Sequence, residues 1–247
     1  MAFALTGCTA SAEPDPAEAI AAEDECVVLL HGLGRSETSL FFLEEALKAE
    51  GYLVVNRTYP TTEMSIEALL DYVTAAVGEC GEARVNFVSH SLGGIVARGW
   101  IQQNQPDSLG RVVMLAPPNH GSEVADELGQ LSLFGMLMGP AGQELRTGPT
   151  GIPEQLGPVT FDLGVIAGNQ SINPLFSALI PGTDDGAVSI ESTRIEGMAD
   201  HITLATTHTM MMNNPVVIAQ VVNFLQTGTF DHELISVTEA TRRLLRR

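Results

Sequence analysis

The chain has 247 residues, 45% of them hydrophobic, which suits one large core better than two small ones. A formal net charge of −18, with an isoelectric point near 4.5, repels phosphate backbones and argues against a nucleic-acid-binding role. No apolar run reaches the ~20 residues needed to cross a bilayer.

At the N-terminus, Leu5-Thr6-Gly7-Cys8 has the form of a lipobox, where a bacterial lipoprotein signal is cut before a cysteine that takes a lipid. Residues 1–5 are too short for the apolar part of such a signal and carry no basic residue, so either the signal begins upstream or the match is accidental. The expectation is a protein outside the cytoplasm, periplasmic and attached to the membrane through a lipidated Cys8, or secreted. A cytoplasmic location stays open. Residues 10–24, with Pro14, Pro16 and many acids, read as a tether. Three units follow: 1–25 as signal or tether, 26–228 as a folded domain, and 229–247 as a tail. The tail ends in Arg242-Arg243-Leu244-Leu245-Arg246-Arg247, a solvated helix end or, alternatively, a membrane or partner contact.

Strand and helix then alternate. Val27-Val28-Leu29-Leu30 is a continuous apolar run, as expected of a strand buried on both faces. It ends at His31-Gly32-Leu33-Gly34. A helix follows through Leu40, Leu43 and Leu47, stopped by Gly51. Leu53-Val54-Val55-Asn56 is the next strand, and residues 65–77 form a helix with Ile66, Leu69, Leu70 and Val73 on one face. Val85-Asn86-Phe87-Val88 leads into Ser89-His90-Ser91-Leu92-Gly93-Gly94, a strand that stops at a serine and turns at once into a helix. Such a turn lifts a hydroxyl clear of the sheet, at a backbone cost that usually accompanies function. Its usual form is Gly-x-Ser-x-Gly; here Ser89 stands at the first glycine.

Arg111-Val112-Val113-Met114-Leu115-Ala116 is another buried strand, stopped by Pro117-Pro118. The pattern weakens over residues 121–158, with a helix expected from Ser122. Residues 163–167 resume the strand series, a polar loop runs to Asp185, and residues 201–206 form the last strand. Asn213 or Asn214 caps a final helix with Pro215 in its first turn. Six strands with crossover helices imply a doubly wound, mostly parallel α/β sheet with helices on both faces, whose functional groups gather beyond the carboxyl ends of the strands. Cys26 starts the first strand and Cys80 precedes the third. If those strands are neighbours a disulfide can form; two separate buried thiols are the alternative.

A serine hydroxyl needs a base to take its proton and a third group to orient that base. Ser91 is the nucleophile candidate. His208, just past the last strand, is the base. His201 starts that strand and sits at the wrong edge, His120 follows a different strand, His90 points away from the Ser91 side chain, His31 belongs to the first turn, and His232 lies near the tail. The acid is Asp185 or Asp184; Gly186 permits a sharp turn that aims Asp185 inward, which favours it. The N–H of Leu92, at a helix start, and the N–H of Leu33 can meet negative charge on a substrate oxygen. Phe134, Met136 and Met138 are candidates for an acyl pocket or small lid, and Met210-Met211-Met212 for its border; packing in the core is the alternative for both sets. No spacing of metal ligands appears, and no cofactor is called for.

Leu30-His31-Gly32-Leu33-Gly34, Ser89-His90-Ser91-Leu92-Gly93-Gly94, Ala116-Pro117-Pro118-Asn119-His120-Gly121-Ser122, Asp185-Gly186-Ala187-Val188 and His208-Thr209, in this order, resemble the landmarks of small α/β-hydrolase lipases and esterases. The resemblance covers about residues 26–228. It implies Ser91 as nucleophile, Asp185 as acid, His208 as base, Leu33 and Leu92 as oxyanion donors, and a sheet lacking the first two strands of larger members. It implies a serine hydrolase that cleaves carboxylic esters, small or lipid, through an acyl-enzyme. A thioesterase or amidase on the same groups is the alternative, with a non-catalytic binding protein behind it.

Overall fold

The computed structural model describes residues 24–129 and 132–234, with Ser236, Thr238 and Thr241; for residues 128, 129 and 132–137 it describes the backbone alone. Cys8, the N-terminal tether and the arginines of residues 242–247 lie outside the described residues.

In chain order the elements are β1 (Glu25–Leu30), α1 (Phe41–Ala49), β2 (Leu53–Asn56), α2 (Ile66–Glu79), β3 (Arg84–His90), α3 (Leu92–Asn104) and β4 (Leu109–Leu115). Then come α4 (Glu123–Gly129), α5 (Ser132–Glu144), α6 (Ile152–Gln155), β5 (Leu163–Gly168), α7 (Pro174–Ser177), α8 (Ile190–Thr193), β6 (Asp200–Leu204) and α9 (Pro215–Thr227). The strands form one sheet in the order β2-β1-β3-β4-β5-β6, with every pairing parallel. β1 leads directly into the His31-Gly32-Leu33 turn.

The period of two along each strand divides the core. Val28, Leu30, Val85, Phe87, Val112 and Met114 pack with Leu69, Val73, Ile95 and Val96 of α2 and α3. Val27, Leu29, Val88, Val113 and Leu115 pack with Leu43, Leu47, Val217, Val221 and Phe224 of α1 and α9. Both faces of the sheet are therefore covered, which is why its strands are apolar runs rather than alternating ones. Asn214 caps the final helix as expected, accepting from the Val216 N–H with Pro215 behind it, and the Ser65 hydroxyl accepts from the Ala68 N–H at the start of α2.

β1 and β3 are neighbours, with Cys26 opposite Val85. Cys80 closes α2 on the same side, 5.6 Å from Cys26 between Cα atoms, and the two form a disulfide rather than two thiols. Three other elements differ from expectation. β6 stops at Leu204, not Thr206, because the Thr206 N–H turns back onto the Leu204 carbonyl. The packed domain runs past residue 228: Phe230 and Leu234 are buried in the core, and the buried Gln220 amide donates to the carbonyls of Asp231 and Leu234. The weakly patterned stretch holds α4, α5 and α6. Within α5, Gly139 adopts φ 66° and ψ −176°, and a Cβ there would lie 1.9 Å from the Thr62 carbonyl oxygen. Beyond that break, Ala141 donates to the Met64 carbonyl and the Glu144 carboxylate accepts from the Ile66 N–H at 2.7 Å, so α5 is fastened to the start of α2.

Candidate active site

β3 delivers Ser91 into a turn at φ 53° and ψ −124°, and α3 starts at the next residue. A non-glycine residue in that region costs on the order of 1–3 kcal/mol and persists because its surroundings hold it. Here the Ser91 N–H donates to the Leu115 carbonyl at 2.9 Å, and the Gly94 N–H donates to the Ser91 carbonyl at 2.9 Å. A Cβ on Gly93 would stand 2.4 Å from the Leu30 carbonyl oxygen, so only glycine lets α3 begin this close to the end of β1. Ser89, the departure from the usual motif, is wholly buried, and its hydroxyl has no hydrogen-bond partner among the described residues.

The loops after β5 and β6 bring the other two groups. The His208 Nδ1 lies 2.8 Å from Asp185 Oδ2, and its Nε2 lies 3.0 Å from Ser91 Oγ. Asp185 is 2% exposed, and its Oδ1 accepts the N–H groups of Ala187 at 3.0 Å and Val188 at 2.9 Å. A Cβ on Gly168, the last residue of β5, would meet the Asp185 Cβ at 2.9 Å, so that glycine makes room for the acid. The His208 N–H also donates to the Asp185 carbonyl at 2.9 Å. A carboxylate only accepts, so Nδ1 of His208 carries its proton and the Nε2 lone pair faces the serine hydroxyl. Asp184 shapes the loop instead. Its Oδ1 accepts from the Ser177 hydroxyl and the Gly186 N–H, both at 2.7 Å.

Gly32 packs against Ser91; a Cβ there would lie 3.1 Å from the serine Cβ. Among the described residues no acceptor takes the N–H of Leu33 or Leu92. His31 braces this turn. It is buried, stacks on Tyr59 with ring centres 4.2 Å apart, and accepts the Tyr59 N–H at Nε2. Its Nδ1 donates to the Gly32 carbonyl, and burial holds its pKa below the ordinary histidine value. Tyr59, which also donates its hydroxyl to the His31 carbonyl, carried no signal in the sequence beyond its place beside Pro60.

Of the remaining histidines, His201, His120 and His232 stand apart from the constellation. His201 bonds the Thr193 hydroxyl at 3.0 Å, His120 pairs with Glu154 at 2.7 Å, and His232 pairs with Asp200 at 3.1 Å. Met211 and Met212 are buried in the core, and Met210 is exposed, so two of the three methionines pack rather than border a pocket. The side chains of Phe134 and Met136 lie outside the described residues. Met138 is half-buried on the α2–α3 face; Gly142 separates it from Leu33.

Arg98 is a further supporting residue, beside Tyr59, that the motifs do not mark. Arg98 is buried on α3, with Nη1 donating to the Asn119 carbonyl and side-chain oxygen and Nη2 to the carbonyls of Pro153 and Gly157. Burial pushes its pKa down to about 10. It ties the loop after β4 to the α6 region, and a lone charge on the apolar face of α3 was its signal. A cavity of about 490 Å³ lined by Arg98, Gln105, Leu109 and Phe161 lies near the opposite edge of the sheet and includes none of the triad candidates.

A family model described as the alpha/beta hydrolase family matches residues 27–221. The chain belongs to the alpha/beta hydrolase family. Solved structures of this fold superpose on most of it. Phospholipase PlaB from Legionella pneumophila is 16% identical with a TM-score of 0.67; the alignment covers 90% of this chain and 62% of that one. The chain thus spans about three fifths of that phospholipase. The mature lipase BlEst2 from Bacillus licheniformis is 22% identical, TM-score 0.61, covering 86% of this chain and 94% of the lipase. A monoacylglycerol lipase from Paleococcus ferrophilus is 17% identical, TM-score 0.57, covering 82% and 94%. At these identities the likeness establishes the alpha/beta hydrolase fold. The six-stranded parallel sheet of this member agrees with it, and the resemblance drawn from the five ordered motifs holds at the level of the family.

Proposed function

We propose that this hydrolase cleaves carboxylic esters through an acyl-enzyme on Ser91, with His208 as base and acid, Asp185 as the group that orients it, and the N–H groups of Leu33 and Leu92 as the oxyanion site. The observation that carries the proposal is the unbroken line from Ser91 Oγ to His208 Nε2, 3.0 Å, and from His208 Nδ1 to Asp185 Oδ2, 2.8 Å. As Oγ bonds to the substrate carbonyl carbon, its proton passes to Nε2, and the carbonyl electrons move to oxygen. The buried Asp185 carboxylate stabilises the resulting imidazolium. When the tetrahedral adduct collapses, the bond to the alcohol oxygen breaks, and Nε2 returns the proton to it. Water repeats the sequence and frees Ser91. Preorganised N–H donors are worth about 100- to 1,000-fold each in such reactions.

Met138, Phe134 and Met136 are proposed to contact an apolar acyl group. Rates on nitrophenyl esters of increasing chain length test this, beside Ser91→Ala as the inactive control. Labelling of Ser91 by a fluorophosphonate separates an enzyme from a non-catalytic binding protein. Thioester hydrolysis is the second reading, because the same groups serve it and a type II thioesterase, BorB, shares the fold at a TM-score of 0.51. Matched ester, thioester and amide substrates rank the chemistries. The Cys26–Cys80 disulfide supports a location outside the cytoplasm, with Cys8 as the proposed lipid attachment; cell fractionation of the wild type against Cys8→Ser tests it.

A further inference from the structure

His90, the residue before Ser91, is buried, and its Nε2 lies 2.9 Å from the main-chain oxygen of His208. A carbonyl only accepts, so this nitrogen carries the proton. The other ring nitrogen, Nδ1, is buried and has no hydrogen-bond partner among the described residues. It sits under the oxyanion turn, where a Cβ on Gly32 would come within 2.8 Å of it. An orphaned buried acceptor is a cost that an apolar ring of similar shape avoids. The hydrogen bond made by Nε2 is what an apolar ring cannot supply.

That bond completes a pair. The His208 N–H is held by the Asp185 carbonyl at 2.9 Å, and the His208 carbonyl is held by His90 at 2.9 Å. Main-chain groups on both sides of the base are therefore tied, one to the residue of the acid and the other to the residue preceding the nucleophile. We propose that His90 is a positioning residue: as the Nε2–H tautomer it holds the His208 main chain in place beneath Ser91 and the Leu33 turn, so that base, nucleophile and oxyanion donors keep one geometry. The proposal rests on the roles given to Ser91 and His208 above. Burial, reinforced by the His208 ring 4.7 Å away, holds the His90 pKa well below the ordinary value. His90 thus stays neutral when His208 takes up the serine proton.

The test compares His90→Phe, His90→Gln and His90→Asn in the full chain. Phenylalanine keeps the ring without the donor, glutamine places an N–H₂ near the position of Nε2, and asparagine falls short of it. Steady-state kinetics on a short nitrophenyl ester are read beside thermal melting. Misplacing a catalytic group by about 1 Å costs on the order of 100-fold, so His90→Phe is expected to lose about 10- to 100-fold in kcat with KM within about twofold. His90→Gln is expected to recover most of that loss and His90→Asn little. Wild-type kcat in His90→Phe overturns the proposal, as does equal impairment by glutamine and asparagine. If the phenylalanine variant does not fold, the comparison of glutamine with asparagine decides. A wild-type chain inert to esters and to fluorophosphonate counts against ester hydrolysis instead. The downfield proton resonance of His208 Nδ1–H then judges His90: kept with glutamine and lost with asparagine supports the tether, and no difference between them overturns it.

Discussion

Exchanging Asp185 for asparagine changes a single atom and isolates what the acid contributes. The two N–H groups of Ala187 and Val188 point at Oδ1, at 3.0 and 2.9 Å, and they demand an acceptor there. In Asp185→Asn the amide oxygen must take that place, which turns the N–H₂ toward His208. The ring then accepts at Nδ1 and carries its proton on Nε2, the nitrogen that must receive the serine proton. The expected result is a loss of about 10⁴-fold in kcat near neutral pH, equivalent to about 5 kcal/mol of transition-state stabilisation. KM and the melting temperature should change little, because Oδ1 and its two donors remain paired. Asp184→Asn is the matched control and should keep activity within about threefold, since among the described residues that carboxylate bonds Ser177 and Gly186 and not His208. Nitrophenyl ester kinetics and thermal melting measure both variants. Retention of a tenth or more of wild-type kcat by Asp185→Asn would refute the reasoning, as would an equal loss in Asp184→Asn.

Ser89→Ala removes a buried hydroxyl that has no partner among the described residues, and chemical denaturation should show a gain of about 1 kcal/mol with activity unchanged. Cys26→Ser with Cys80→Ser opens a closure between residues 54 apart in sequence, and the same measurement should show a loss of up to about 4 kcal/mol. Gly93→Ala drives a methyl to 2.4 Å from the Leu30 carbonyl oxygen; it should cost about 3 kcal/mol or more and lower the yield of folded protein, read by melting and by fluorophosphonate labelling. His201 is pushed down to about 4 and His31 below the ordinary value, both chiefly by burial. Between the ordinary histidine value and those lowered values the unfolded chain binds protons that the folded chain refuses. Stability contributed by these groups is present above that range and lost as pH falls through it; His201→Gln should flatten the fall in melting temperature between pH 7 and pH 4.

The strands were legible because a sheet covered on both faces needs unbroken apolar runs, and residues 27–30 and 111–116 are such runs. The strand-to-helix turn at Ser91 was legible because an apolar strand ending in a serine with two glycines behind it marks a sharp turn. Gly186 hinted at which of Asp184 and Asp185 turns inward, but the contact itself, Asp185 Oδ2 against His208 Nδ1, is made by a residue 23 positions away and has no local signal. The Cys26–Cys80 pairing needed the neighbouring positions of β1 and β3, which spacing leaves open. Residues 121–158 stayed obscure because Gly139 and Pro140 interrupt the helical period, and the broken helix is held by contacts with Met64 and Ile66, far off in the sequence. The packing of Phe230 and Leu234 was missed because two apolar residues in a polar tail have no period, and Gln220, their clamp, looks like an ordinary surface residue.

Ser91 is synthesised 117 residues before His208, and Asp185 lies between them. Cys26 and Cys80, by contrast, both emerge before Ser91, so the crosslink can be made while most of the chain is still to come. A nascent chain can then carry this crosslink while Ser91 still lacks His208 beside it. On the proposed mechanism, hydrolysis waits until β6 has docked and the loop beyond it has brought His208 to Ser91, so hydrolytic output would report completed assembly.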